Sequence, residues 1–435
     1  MVFSKLRDIF SRQDLKLASI ASVSIKFGGA FFAFVNGVLL ARLLSVEGFG
    51  YYVLVVSTMM LLSVPVMAGI PNLITRYVAK YRVSKDEGAI KGLLIKTNQY
   101  ALLATGGIYV IALLLYFLWW NQYDSALVEA MTIGFLMIPF LGLNALRSGA
   151  LRGLKLLVMS ELPDTLFRNF VIFLSILFCV LFNIELTPLL AVWFQVGVAF
   201  LSFLLGAYFL HKKLWNSLRP VSPVFRNKEW IQQTIPFSIN SGIQVIKSRV
   251  LTYVILIFGT VEGVALFEVA LRGANLVAFT LDALNRAISP FIATAFEEKN
   301  MQRLQKIITK ATRLIFATSL PVALVFILGG ESLITFIFGE AYVDSYIPLV
   351  IICIGQLVNA MTGSVGLLLN MTGNQHVFSK SNMLFLAINI ALSIPAVLYF
   401  QVTGAAMAYT VILALQNITL VWYVKKHLNI NTAIV

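Results

Sequence analysis

Glu268, Arg272, Asn275, Phe279, Asp282, Arg286 and Ser289 follow one another at steps of four and three residues, with mostly apolar residues between them. Guanidinium groups hold phosphate or carboxylate oxygens through charge-assisted hydrogen bonds, and acids beside them can carry a proton or a sodium ion. On a helix this spacing sets all seven side chains in one stripe. At ~1.5 Å rise per residue the stripe covers about 31 Å, close to the thickness of a bilayer's hydrocarbon core. A charge at mid-membrane costs roughly 2.5 to 3.5 kcal/mol on insertion scales, so such a stripe should face a wet interior and not lipid.

Two further segments carry intramembrane polar groups. Pro236, Asn240, Gln244 and Lys247 recur at helical spacing, whereas Arg249 falls about 200° from Lys247 and cannot share that face. Lys26 shares a face with Ala30, Ala33 and Gly37, beside a bulky stripe of Phe27, Phe31, Phe34 and Val38 suited to lipid. Lys26, Lys247, Arg272 and Arg286 together outnumber Glu268 and Asp282, which favours an anionic ligand over a cationic one. The bland alternative has weight too. Glu268 with Arg272, and Asp282 with Arg286, are acid-before-base pairs at i and i+4 that could simply neutralise one another.

These residues need long apolar elements to hold them, and the composition supplies them. The chain has 435 residues, 59% hydrophobic and 12% charged, with a mean hydropathy of +0.87, which places it among polytopic membrane proteins. Apolar runs predict an all-α fold of about twelve spans. They lie near 17–44, 48–75, 97–120, 127–151, 165–184, 188–211, 234–258, 262–290, 312–328, 346–369, 381–400 and 402–424, with a shorter piece at 332–338. Lys and Arg concentrate in alternate connections, as after the second span (Arg76, Lys80, Arg82, Lys85, Lys91, Lys96) and after the fourth (Arg147, Arg152, Lys155, Arg168). The positive-inside rule then puts both termini in the cytoplasm. The net charge of +14 is thus a topology signal and an attraction to anionic membrane lipid, not a sign of nucleic acid.

At an offset of 215, SVEGFG from Ser45 aligns with TVEGVA from Thr260, and Asn144–Ala145 with Asn359–Ala360. This predicts a six-span lobe over 1–215, a cytoplasmic linker over 216–232 and a second lobe over 233–435. Each half has an even number of spans, so the two are parallel repeats about a pseudo-twofold axis along the membrane normal, with a substrate path expected between them. No Walker A, HExxH or CxxC run occurs, and Cys179 and Cys353 both fall inside spans, so neither a metal, a cofactor nor a disulfide framework is expected. The short outer loops weigh against an enzyme such as a membrane glycosyltransferase or polymerase.

Four segments carry a family resemblance: ARLLSVEGFGYYVL from Ala41, GIPNLITRYVAKY from Gly69, ALRSGALRGLKLLVMSEL from Ala145 and FGEAYVDSYIPL from Phe338. In order and spacing they resemble the polysaccharide flippases (O-antigen, Wzx-type) of the multidrug/oligosaccharidyl-lipid/polysaccharide exporter superfamily. Ser45 and Val46 depart from the more usual Gly and Pro of the first segment. The resemblance implies a MATE-like fold of two lobes that moves an undecaprenyl-pyrophosphate-linked oligosaccharide across the bacterial inner membrane by alternating access. For such a substrate the intramembrane polar residues read above, Lys26, Lys247, Arg272, Arg286, Asn240, Gln244 and Asn275, would hold the head group, and Glu268 and Asp282 are the first candidates to couple transport to a proton or sodium gradient. The implied partners are the lipid-linked oligosaccharide and membrane lipid, with polysaccharide polymerase and chain-length proteins beyond them. A drug or cation antiporter and a lipid II flippase of the same superfamily are the rival readings.

Overall fold

The computed structural model describes residues 15–67, 69–119 and 125–434, and among these it contains helices and no strand. In chain order the helices are α1 Leu15–Leu43, α2 Val46–Leu62, α3 Val64–Met67, α4 Ile70–Val83, α5 Glu87–Trp119, α6 Ser125–Gly134, α7 Met137–Gly153, α8 Leu157–Leu162, α9 Arg168–Leu181 and α10 Pro188–Leu210. They continue with α11 Asn227–Phe258, α12 Val261–Glu297, α13 Met301–Phe338, α14 Tyr346–Thr362, α15 Val365–Met371 and α16 Gln375–Leu428; short helical turns fill 211–218 and Glu340–Ser345. Among the described residues ten helical stretches are long and apolar enough to cross a membrane, and the bent α2–α4 run makes an eleventh. The last of them, α16, is interrupted at Gln401 (φ 48°, ψ −127°), which divides its 54 residues into the two spans expected from sequence. The protein is a multi-pass membrane protein.

The breaks have local causes. The second span, expected to be continuous over 48–75, bends by 45°. Past the bend, Gly69 takes φ +77°, and a Cβ there would come within 2.3 Å of the Ser238 nitrogen. Glycine alone suits both the angle and the approach. The tenth span, expected over 346–369, stops at Gly363, whose φ of +72° ends α14. Conversely, the pieces at 312–328 and 332–338 are one helix, α13, started by Asn300 accepting from the Arg303 nitrogen at 2.9 Å. The repeated VEG segments mark two like helix starts: Ser45 Oγ accepts from the Gly48 nitrogen at 3.0 Å, and Thr260 Oγ1 accepts from the Gly263 nitrogen at 3.0 Å.

Backbone contacts divide the chain into two compact units, one of Met1–Leu44 with Leu54–Ile246, the other of Ser45–Val53 with Lys247–Val435. The boundary thus falls inside α11. In the first unit α7 packs against α4 and α10, and α1 against α8 and α9. Its 219–230 segment, within the expected linker, is fastened to α4 and α5. Lys91 Nζ donates to the Arg219 and Val221 carbonyls (2.9 and 2.8 Å), Arg226 pairs with Asp86 (2.6 Å), and Trp230 Nε1 donates to Tyr81 Oη (3.0 Å).

The second unit is built on α12, α13, α14 and α16, with a dry cluster of Ile292, Leu304, Ile308, Leu368, Leu369 and Val424 at one end. Residues 45–53 complete its core. Phe49 is fully buried and meets Tyr342 edge-on at 6.2 Å, and a Cβ on Gly50 would lie 2.4 Å from the Val261 carbonyl oxygen.

Candidate functional site

Each unit contains its own internal polar network. In the first, the α8–α9 rod is interrupted by a π-helical turn, Pro163–Phe167, at a proline that has no N–H to give to the helix. Such turns often lie at functional sites. Around this one, Glu161 receives Lys26 Nζ from α1 at 2.6 Å and the Ser22 hydroxyl at 2.5 Å. Three residues on, Asp164 receives Arg147 Nη2 from α7 at 2.5 Å and the Ser202 hydroxyl from α10 at 2.8 Å. Arg147 is only 3% exposed and lies flat on Gly206, where a Cβ would come within 2.1 Å of its guanidinium. The Arg168 guanidinium donates to Gln195 Oε1 at 2.9 Å.

This corrects the charge tally made from sequence. Arg147 and Arg168, counted as cytoplasmic loop charges, sit within α7 and α9 and are held by side chains of the unit's interior. Glu161 and Asp164 were passed over because the fifth span was expected to begin at 165. The signal was available: two acids flank a proline in a stretch otherwise read as basic.

In the second unit the polar network is made of amides. Lys247 Nζ donates to Asn382 Oδ1 (3.2 Å) and Gln416 Oε1 (2.5 Å), and Gln416 Nε2 donates back to Asn382 Oδ1 (2.8 Å). Among the described residues no carboxylate lies within ion-pair distance of Lys247. A second chain of amides runs from Asn417 Nδ2 to Asn359 Oδ1 (2.9 Å), from Asn359 Nδ2 to Gln356 Oε1 (3.2 Å), and from Gln356 Nε2 to the Tyr409 hydroxyl (3.1 Å). From sequence Asn359 stands out only in the repeat match, and Asn382, Gln416, Asn417 and Gln356 do not stand out at all. Neutral amides in apolar helices are themselves a signal, because they need partners across helices.

The α12 stripe is a real surface feature with a divided character. Its neighbours Ala265, Val269, Ala270, Ala274 and Val277 are buried and form the packing side. The stripe occupies the open side, with Asn275 and Asp282 exposed and Glu268 and Arg272 half-buried. Arg272 Nε meets Glu268 Oε1 at 2.9 Å, the i, i+4 pair foreseen as the bland alternative. Ser289 Oγ donates to Met371 Sδ at 3.2 Å. Gln244 is exposed on α11. The side chains of Asn240 and Arg286 lie outside the described residues. The network in the first unit holds Lys26, and the amides in the second hold Lys247.

Residues 18–267 match the sequence model of the family described as polysaccharide biosynthesis protein, more than half of the chain. The chain belongs to that family. A search of curated proteins found no match. Among solved structures, the chain is similar to an inward-facing multidrug resistance MATE family transporter of the MOP superfamily, with a TM-score of 0.73 at 14% identity over 94% of this chain and 98% of that one. It is also similar to the lipid II flippase MurJ in an inward closed conformation, with a TM-score of 0.72 at 14% identity over 94% and 87% of the two chains. A third likeness, with a TM-score of 0.67 at 13% identity over 96% and 97%, is to a MOP superfamily transporter from Pyrococcus furiosus described as having a binding pocket of reverse polarity. The chain therefore has a MATE-like fold, as the motifs implied, and the solved structures it resembles are described as transporters and a flippase.

Proposed function

We propose that this protein is a flippase that carries an undecaprenyl-pyrophosphate-linked oligosaccharide across the bacterial cytoplasmic membrane by alternating access, for O-antigen, capsule or exopolysaccharide synthesis. The observation that carries the reading is the setting of Lys247. Two amide oxygens hold its ammonium in place while no described carboxylate cancels its charge, so the cation remains available to an anionic ligand. Amides orient without neutralising, and a pyrophosphate is a stronger partner for an ammonium than a neutral amide is. Arg272, Arg286 and Asn275 of the second unit are assigned to the same anionic head, and Lys26, Asn240 and Gln244 of the first unit are assigned to substrate binding within their own unit. Asn275 and Gln244 are exposed, which suits polar groups that meet a sugar head.

Family membership supports the polysaccharide part of the reading, and the fold supports transport. Glu268 and Asp282 are the proposed carriers of a coupling proton or sodium ion. Both termini are assigned to the cytoplasm on the charge asymmetry of the connections. The lipid tail stays in the bilayer, and the flipped product passes to polymerase and chain-length proteins. No step makes or breaks a covalent bond, so the protein is no enzyme in this reading.

The test uses purified protein in liposomes with a fluorescently labelled lipid-linked oligosaccharide. Transport should move label between leaflets with no change in glycan length, and Lys247→Ala should abolish it at normal protein level. Lengthened glycan would point to a polymerase, and transport that survives Lys247→Ala would remove the cationic site. Equal transport of labelled lipid II would turn the reading to the lipid II flippase.

A further inference from the structure

Glu161 and Asp164 lie three residues apart on one rod and each pairs with a base, yet the two pairs are built differently. Arg147 is sealed, at 3% exposure, with its guanidinium against Gly206 and its acid also held by Ser202. Lys26 keeps 33% of its side chain exposed while Glu161 keeps 15%. The first pair has no route by which an outside anion could compete for the base. The second has one, because a third of the Lys26 side chain is open and an ammonium can exchange its carboxylate for another anion.

We propose that Lys26–Glu161 is a pair that the anionic head of the substrate opens, and that the freed Glu161 carboxylate then takes up a proton. This deepens the flippase reading and rests on its pyrophosphate ligand. A pyrophosphate offers more charge and more oxygens to the ammonium than a carboxylate does. Once Lys26 turns to it, Glu161 keeps only the Ser22 hydroxyl, and a mostly buried carboxylate without its counter-ion favours the neutral, protonated form. The proton settles on the oxygen that Lys26 has left. The other charged groups facing this acid keep their own partners: Arg147 from α7 on Asp164, Arg168 further along the rod on Gln195, while α10 brings the neutral Ser202 and Gln195. Substrate binding and proton uptake then become one event at a single side-chain pair. When the head leaves, Lys26 recaptures Glu161 and the proton is released.

The probe is inorganic pyrophosphate titrated calorimetrically into the full chain in detergent, in two buffers of different ionisation enthalpy, which counts protons taken up on binding. Wild type should take up about one proton more per pyrophosphate than Glu161→Gln, and that variant, lacking the competing carboxylate, should bind several-fold more tightly. Lys26→Ala should weaken binding about tenfold and also lose the uptake. Because either variant could misfold, the double swap Lys26→Glu with Glu161→Lys, which keeps the pair, should restore folding, binding and uptake together. Uptake that persists in Glu161→Gln, or affinity unchanged by Lys26→Ala, overturns the proposal while leaving the Lys247 reading in place. Absence of pyrophosphate binding to wild type overturns that reading and this proposal with it.

Discussion

The interiors of the two units solve the same problem in opposite ways. The first sets a carboxylate against Arg147 and another against Lys26, Asp164 and Glu161 respectively. The second surrounds Lys247 with Asn382 and Gln416 and leaves the charge standing. An ion pair stores its charge locally, and an amide cradle orients a cation toward something else. The contrast separates the sealed Arg147 pair, which builds the fold, from the cations placed to meet a ligand, which a count of intramembrane charges cannot do.

The comparison can be broken most directly at Arg147. Removing it with Arg147→Ala strands Asp164, and losing one partner of a buried pair costs roughly 3 to 5 kcal/mol, so the melting temperature in detergent should fall sharply. Arg147→Met combined with Asp164→Leu should recover most of the loss; if it does not, the pair has a role beyond packing. Lys247→Ala should show the reverse pattern. The fold should hold while substrate affinity drops ~10- to 100-fold, the equivalent of one charge-assisted hydrogen bond of about 1.5 to 3 kcal/mol. A smaller effect is expected from Asn382→Leu, which removes one oxygen from the cradle; transport should weaken several-fold, with Gln416→Leu added to test whether the two act together. The smallest belongs to Arg272→Gln. Its partner Glu268 is one helical turn away and half-buried, and such pairs contribute about 0.2 to 0.5 kcal/mol, so thermal stability should scarcely move. A large loss of transport with unchanged stability would sort Arg272 with Lys247 instead of with the structural pairs.

Much of the fold could be read from residue patterns because hydropathy over ~20 residues is a strong signal in a membrane chain. All twelve expected runs have helices on them, and the interruption between 381–400 and 402–424 falls where Gln401 leaves helical geometry. What the runs could not reveal were bends inside them. Gly69 and Gly363 carry no hydropathic mark, and their positive φ angles answer to neighbours distant in sequence, Ser238 in one case and Thr312 in the other.

The sites divide in the same way. The α12 stripe and Lys247 were legible because charge in an apolar run is conspicuous. Their partners were not, since Asn382 and Gln416 look unremarkable in isolation and meet Lys247 only through folding. Glu161 was hidden for a different reason. A span boundary set a few residues late, past Pro163, moved it into a loop.

The placement of residues 45–53 bears on how the protein could be cut or assembled. The second unit takes its buried Phe49 and the Gly50 approach to Val261 from a segment encoded near the start of the chain. A ribosome that has finished the first half has therefore already made a piece the second cannot do without, and that piece must wait for its partner to emerge. Two separately expressed fragments divided at 246/247 would leave the later one with a hole where Phe49 belongs. Supplying the earlier fragment in the same cell, and not the later one alone, should yield a folded second unit.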